Sequence, residues 1–180
     1  MACTLNKGRT EPCKDAVGGI QAVYFVDFGD LGTPTYASAT SAEITDFTEA
    51  TITAYKYEVK GNSSLEQTIT ASRENGTTFY DQVLNLTLHK LSAQSHDELA
   101  LIAVARPHVI VEDNNGNLML VGLEHGADVN GGTVVTGAAM GDLSGYTLTL
   151  QATEKKPANF LSGTLDSLGI TVSTSNIDDI

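Results

Sequence analysis

The sequence predicts a mainly β protein: an antiparallel β-sandwich or barrel with one short flanking α-helix and a protruding β-hairpin. Three observations predict it. Apolar and polar residues alternate in short runs between Gly- and Asn-rich turns, the period-two pattern of half-buried strands. One stretch, "LHKLSAQSHDELALIA" (Leu88 to Ala103), changes to helical spacing. One pair of strand-like segments, between Thr51 and Arg73, has no clear apolar face.

Residues 1 to 18 are polar, with Lys7, Arg9 and Lys14 set against Glu11 and Asp15, and read as an N-terminal arm that a neighbour must hold in place. The β-sandwich domain then runs from 19 to 162. "IQAVYFVDF" (Ile20 to Phe28) is apolar, β-branched and aromatic and ends before Gly29, so it reads as a core strand. "GDLGTPTYASATS" reads as a loop. "TITAYKYEVK" (Thr51 to Lys60), the turn residues "GNSS" and "LEQTITASR" (Leu65 to Arg73) read together as a β-hairpin. With both faces partly polar, it projects into solvent or pairs with another subunit. "ENGT" (Glu74 to Thr77) is a second turn, Asn-Gly being the strong hairpin signal.

"TFYDQVLNLTLHKL" (Thr78 to Leu91) reads as a strand of about fourteen residues, well beyond the usual five or six. Tyr80, Leu84, Leu86 and Leu88 fall on one face; Asp81, Asn85, Thr87 and His89 fall on the other, with Val83 among them. One face should meet a core and the other water. The helix follows. Ser95 and Glu98 make an S-x-x-E capping box, and Asp97 and Glu98 favour the positive end of the helix. Leu99, Ile102 and Ala103 should pack on the sheet, and Pro107 stops the helix. "HVIVEDNNGNLMLVGL" (His108 to Leu123) is two apolar runs around Asn-Asn-Gly-Asn, hence a hairpin. "EHGADVNGGTVVTGAAMGDLSG" is Gly-rich with short β-like pieces, and "YTLTLQATEKK" (Tyr146 to Lys156) alternates as a strand. Residues 163 to 180 read as a C-terminal arm or edge strand: "GITVSTS" could be the strand, and the end is acidic at Asp178 and Asp179.

The charge is −12, from 22 acids against 10 bases. An acidic surface repels phosphate, which disfavours a conventional DNA-binding module but suits a surface that must pass DNA without holding it. No apolar run is long enough for a transmembrane helix, and "MACTLNKGRTEPCKD" lacks the apolar core of a signal peptide, so the expectation is a protein without a membrane anchor, kept in the cytosol of the cell that makes it. On the same grounds the sequons at Asn62, Asn75 and Asn85 are chance matches. Cys3 and Cys13 are too widely spaced, with no nearby His, for a zinc site; reduced thiols are expected, with a disulfide formed after release as the alternative.

No catalytic, cofactor-binding or metal site is expected. "GAAMGDLSG" lacks the Gly-Lys-Ser/Thr of a phosphate loop. His89, His96, His108 and His125 include no pair at the helical spacing of a metal motif. Glu124, His125 and Asp128 could imitate an acid/base cluster, but they have no nucleophile beside them and read as a loop.

Three segments in order carry a resemblance: "QTITASRENGTTFYDQVLNLTLHKLSAQSHDELALIA", "RPHVIVEDNNGNLMLVGLEHGADVNGG" and "TGAAMGDLSGYTLTLQATEKKPANFL". Over residues 64 to 162 the chain resembles the tail tube (major tail) proteins of bacteriophages. The resemblance implies a β-sandwich with one flanking helix, six copies joined through their inner sheets into a ring, and rings stacked into a tube for genome delivery. The expected partners are further copies of the chain, other tail proteins (sheath or terminator, baseplate), and DNA passing through the lumen without specific binding. The implied location is the virion tail, after synthesis in the host cytoplasm. Asp81, Asn85, Thr87 and His89 are then lumen-facing candidates, and Lys60, Asn62, Glu66 and Arg73 are candidates for contacts between subunits or rings. The alternatives are a related neck or baseplate ring protein, or a monomeric β-sandwich binding module with its ligand at loops such as Glu124 to Gly132. A β-barrel hydrolase or lyase would need a pocket holding a perturbed acid.

Overall fold

A computed structural model of the chain describes residues 7–39, 41–49 and 51–175. The strands are β1 (Ile20–Val26), β2 (Pro34–Tyr36), β3 (Glu43–Phe47), β4 (Ile52–Glu58), β5 (Ser64–Ser72), β6 (Thr77–His89), β7 (His108–Asp113), β8 (Leu118–Val121), β9 (Asp128–Val135), β10 (Gly145–Glu154), β11 (Asn159–Leu161) and β12 (Ile170–Val172), with helix α1 (Ala93–Val104) between β6 and β7. They form two sheets. The larger has the order β12-β4-β1-β7-β8-β11-β3-β2 and the smaller β5-β6-β10-β9. The protein is thus a β-sandwich with a single α-helix among the described residues.

The central strands of the large sheet are covered on both faces, which is why β1, β7 and β8 read as continuous apolar runs rather than as alternating ones. Val23, Phe25, Val109, Val111 and Val121 pack toward the small sheet, with Leu84, Leu86, Leu150 and the helix residues Leu99 and Ile102. Ala22, Tyr24, Val26, Ile110 and Leu120 face a second core, shared with Ile44 and Phe47 of β3 and Ile52 and Ile170 of β4 and β12. Both ends of the large sheet contribute to that second core, so the sheet curls. The 3-10 turn Asp166–Leu168, which touches both β3 and β12, plugs it with Leu168. Full burial of each such leucine contributes about 1.5–3 kcal/mol.

The small sheet is clad on one side only. Gln82, Leu84 and Leu86 are buried while Asp81, Val83, Asn85 and Thr87 are half-exposed, as the alternation in β6 requires. Gly145 lets β10 approach β6 at the end of the pairing, because a Cβ there would run into the Leu88 carbonyl.

Four readings of the sequence are corrected. The segments Thr51 to Lys60 and Leu65 to Arg73 do not form a hairpin: β4 pairs with β1 and β12 in the large sheet, while β5 pairs with β6 in the small one. "GNSS" is a passage between layers rather than a hairpin turn. The hairpin that projects is β5–β6. Pairing of β6 with β10 ends at Tyr80, so beyond it Thr70–Ser72 and Thr77–Phe79 pair only with each other and are largely exposed. The N-cap is Ser92, not Ser95: the Ser92 side chain accepts from the Ser95 N–H at 3.1 Å, so the helix begins nearly a turn earlier than the S-x-x-E pattern indicates. Ala103 is exposed, leaving Leu99 and Ile102 as the buried face. Finally, the loop expected after Gly29 contains β2, and β3 and β11 are strands that the sequence pattern does not reveal.

The turn after β7 holds the incoming chain. Asn115 accepts from the Val17 N–H at 2.9 Å and donates to the Val17 carbonyl at 2.7 Å, while Asn114 donates to the Gly18 carbonyl. Asp113 organises this turn by accepting from the side-chain amides and backbone N–H groups of Asn117 and Asn115; burial raises its pKa, but these bonds, the Asn117 amide first, outweigh that and lower it. Cys13 is exposed; Cys3, Asp178 and Asp179 lie outside the described residues.

Candidate functional site

The open face of the small sheet carries the lumen candidates. Asp81, Asn85, Thr87 and His89 sit at alternate positions of β6, and the register fixes what stands beside them. Thr153 donates to Asp81 at 2.8 Å and Thr149 to Asn85 at 2.9 Å, both from β10. On β5, Glu66 is opposite Val83 and Thr68 opposite Asp81, which puts Glu66 on this same face. Asp128 of β9 is opposite Gln151, itself opposite Val83, and joins them. The face therefore combines a threonine-rich ladder with three carboxylates. No Lys or Arg occurs in any of its four strands.

The inter-subunit candidates separate into three places. Lys60 and Asn62 belong to the passage between sheets, where their carbonyls meet His89 Nε2 at 3.0 Å and the Thr87 hydroxyl at 3.1 Å. Glu66 is on the polar face. Arg73 is exposed in the β5–β6 turn, at the other end of β5 from Lys60, about 30 Å away for nine strand residues.

The edges of the two sheets differ. The large sheet ends in β12 and β2, each three residues long. The small sheet ends in β5, nine residues, and β9, eight residues, and no strand among the described residues pairs with their outer sides. Short edges, Lys and Pro are the usual protections against uncontrolled pairing. Neither β5 nor β9 contains Lys or Pro; β9 carries one irregularity, opposite Thr149 and Leu150.

Two polar groupings lie elsewhere. Glu124 and His125 come together with the buried Glu154 instead of with Asp128. Glu154 accepts from the backbone N–H groups of both residues at 2.9 Å, and Glu124 pairs with Lys155 at 3.2 Å, so the carboxylates anchor the loop after β8. His108 is buried, with Nε2 accepting from the Gly29 N–H at 3.1 Å and Nδ1 donating to the Gly122 carbonyl at 2.7 Å; burial lowers its pKa. A groove of about 840 Å³ runs between β4, α1 and the end of β6, lined among others by Tyr57, His89, Glu98 and Tyr146. The Tyr57 hydroxyl is pushed up to about 12, by burial first and then by Glu98, and so stays protonated.

Compared with known proteins, the chain matches no protein-family model, no curated protein and no solved structure. No helix is long and apolar enough to cross a membrane among the described residues. What the sequence pattern does not reveal at this surface is β9 as an open edge, Asp128 as a companion of Asp81, and the face that Glu66 takes. The alternation in "YTLTLQATE" was the available signal for the threonine ladder; the companions depend on register, which alternation alone does not give.

Proposed function

We propose that this chain is a structural subunit of a phage-type tail tube, a non-enzymatic conduit for the genome built of stacked six-membered rings. The observation that supports it best is the pair of long, unprotected edges on the small sheet, set against the three-residue edges of the large one. All three pairings in the small sheet are antiparallel, so β5 and β9 run in opposite directions. Rotation about a ring axis therefore brings β9 of one copy antiparallel to β5 of the next, and the ladder continues without a break. Four strands from each of six copies, spaced about 4.8 Å and tilted about 40°, close a barrel about 45–50 Å across between backbones, room enough for a DNA duplex.

In that ring the covered face of the small sheet is outward and the polar face lines the bore. Glu66, Asp81 and Asp128 then present carboxylates to passing phosphates, with a repulsion that fades beyond about 8 Å at physiological salt. The absence of Lys and Arg from the four strands removes the groups that would grip DNA. The subunit belongs to the virion tail after synthesis in the host cytoplasm, and sheath or terminator and baseplate proteins meet the ends or outside of the tube.

The test is size in solution combined with edge blocking. Wild-type chain should form rings or tubes in negative-stain images. In Thr68→Pro and Ile69→Pro the substituted residues are adjacent, so one of the two lost N–H groups pointed outward. The variant that melts like wild type should remain a monomer. A wild-type chain that stays at 19.0 kDa at high concentration contradicts the reading and favours the monomeric module.

A further inference from the structure

We infer that the flank of α1 beside β9 is an apolar seat for Ile69 of the adjacent copy, so that each ring joint has a side-chain lock as well as a backbone ladder. The inference rests on the ring reading and specifies its joint. Helix α1 lies along β9: its start is tied by the Tyr146 hydroxyl, which donates to the Ser92 carbonyl at 3.2 Å, and Tyr146 pairs with Val134. Past the helix end, the Ala127 N–H just before β9 donates to the Pro107 carbonyl at 2.8 Å. Leu99 and Ile102 point into the core, and Gln94 and Glu98 line the groove toward β4. Helical geometry places His96, Ala100 and Ala103 on the opposite flank, with Val104 pointing outward, away from the core, and the His96 ring stands 6.1 Å from that of Tyr146 in the small sheet. That flank therefore looks toward the β9 edge. Ala100 and Ala103 on this flank are exposed.

The other edge carries the complement. Ile69 is 63% exposed and is opposite Tyr80, two residues from buried Gln82, so it lies on the covered side of the sheet rather than the polar side. In a continuous sheet a face stays the same face across the joint, so Ile69 emerges on the side where α1 stands. Charge agrees with a second copy as the occupant. Arg73 is at the tip of the same hairpin, while the receiving side offers Asp97 and carries no Lys or Arg in α1, β9 or β10.

The experiment uses the full chain with Ile69→Glu, Ala103→Lys and the double variant, each checked by thermal melting and then assayed for assembly by sedimentation. Each single variant should melt like wild type yet raise the concentration needed for assembly by about tenfold or more. The double variant, with a Glu tip facing a Lys seat, should recover most of it. Single variants that assemble like wild type, or a double variant no better than either single one, overturn the seat while wild-type rings still stand. A wild-type chain that forms no rings removes the ring reading itself, and the seat with it.

Discussion

The Thr153 hydroxyl donates to the Asp81 carboxylate at 2.8 Å across the β6–β10 pair, on the uncovered face of the small sheet. The bond leaves a fixed, half-exposed negative charge where the proposed bore would be. Asp81→Lys should fold normally, since the site is wet, and should permit assembly. In particles carrying it, DNA release should be slowed or blocked, more so at low salt, where attraction of the new cations to phosphate is strongest. Release rates at two salt concentrations check this; rates equal to wild type at both would show that Asp81 does not meet the DNA.

The helix start gives a second prediction. Ser92→Ala should cost about 1 kcal/mol through the lost cap. Leu99→Ala should cost about 2–5 kcal/mol, because Leu99 is buried between the sheets. Ser95→Ala should cost less than Ser92→Ala, since the Ser95 backbone N–H that the cap satisfies is kept. Denaturant unfolding ranks the three, and a larger loss at Ser95 would contradict the observed cap.

His108 predicts a pH dependence. Its Nε2 accepts from Gly29, so protonation there breaks that bond, and burial lowers the folded-state pKa below the usual value. The bond to the Gly122 carbonyl, then Glu154 and Asp30, oppose the shift, and Arg106 adds to it. In the unfolded chain the imidazole titrates near 6.5, so there the unfolded state takes up protons first. The contribution to stability is complete above about pH 6.5 and is lost as pH falls from there toward the folded-state pKa. Wild-type Tm should fall more steeply between about pH 7 and 5 than that of His108→Gln. Parallel slopes would show that His108 does not set the dependence.

Strong periodicity made part of this legible. Thirteen residues of alternation revealed β6 and its two faces, and Leu99 and Ile102 emerged from helical spacing. The joint between β4 and β5 was misread because Gly61 to Ser64 has hairpin-turn composition, whereas what decides the matter is tertiary: Ile52 and Ala54 belong to the second core and Leu65 to the first. β2 and β11 are three residues long, too short for a period to register. The face of Glu66 could not be read, because a shift of one residue in pairing would turn it over. That no strand among the described residues pairs with the outer sides of β5 and β9 is likewise a property of sheet order.

The proposed ring stands or falls with the pairing of β9 of one copy to β5 of the next. A cryo-electron microscopy map of the assembled chain, at a resolution that separates strands, tests it most directly. The map should show a closed, continuous barrel with β9 antiparallel to its neighbour's β5 and Asp81 facing the bore. Assemblies in which both edges stay unpaired, or in which Leu84 and Leu86 line the bore, would contradict it.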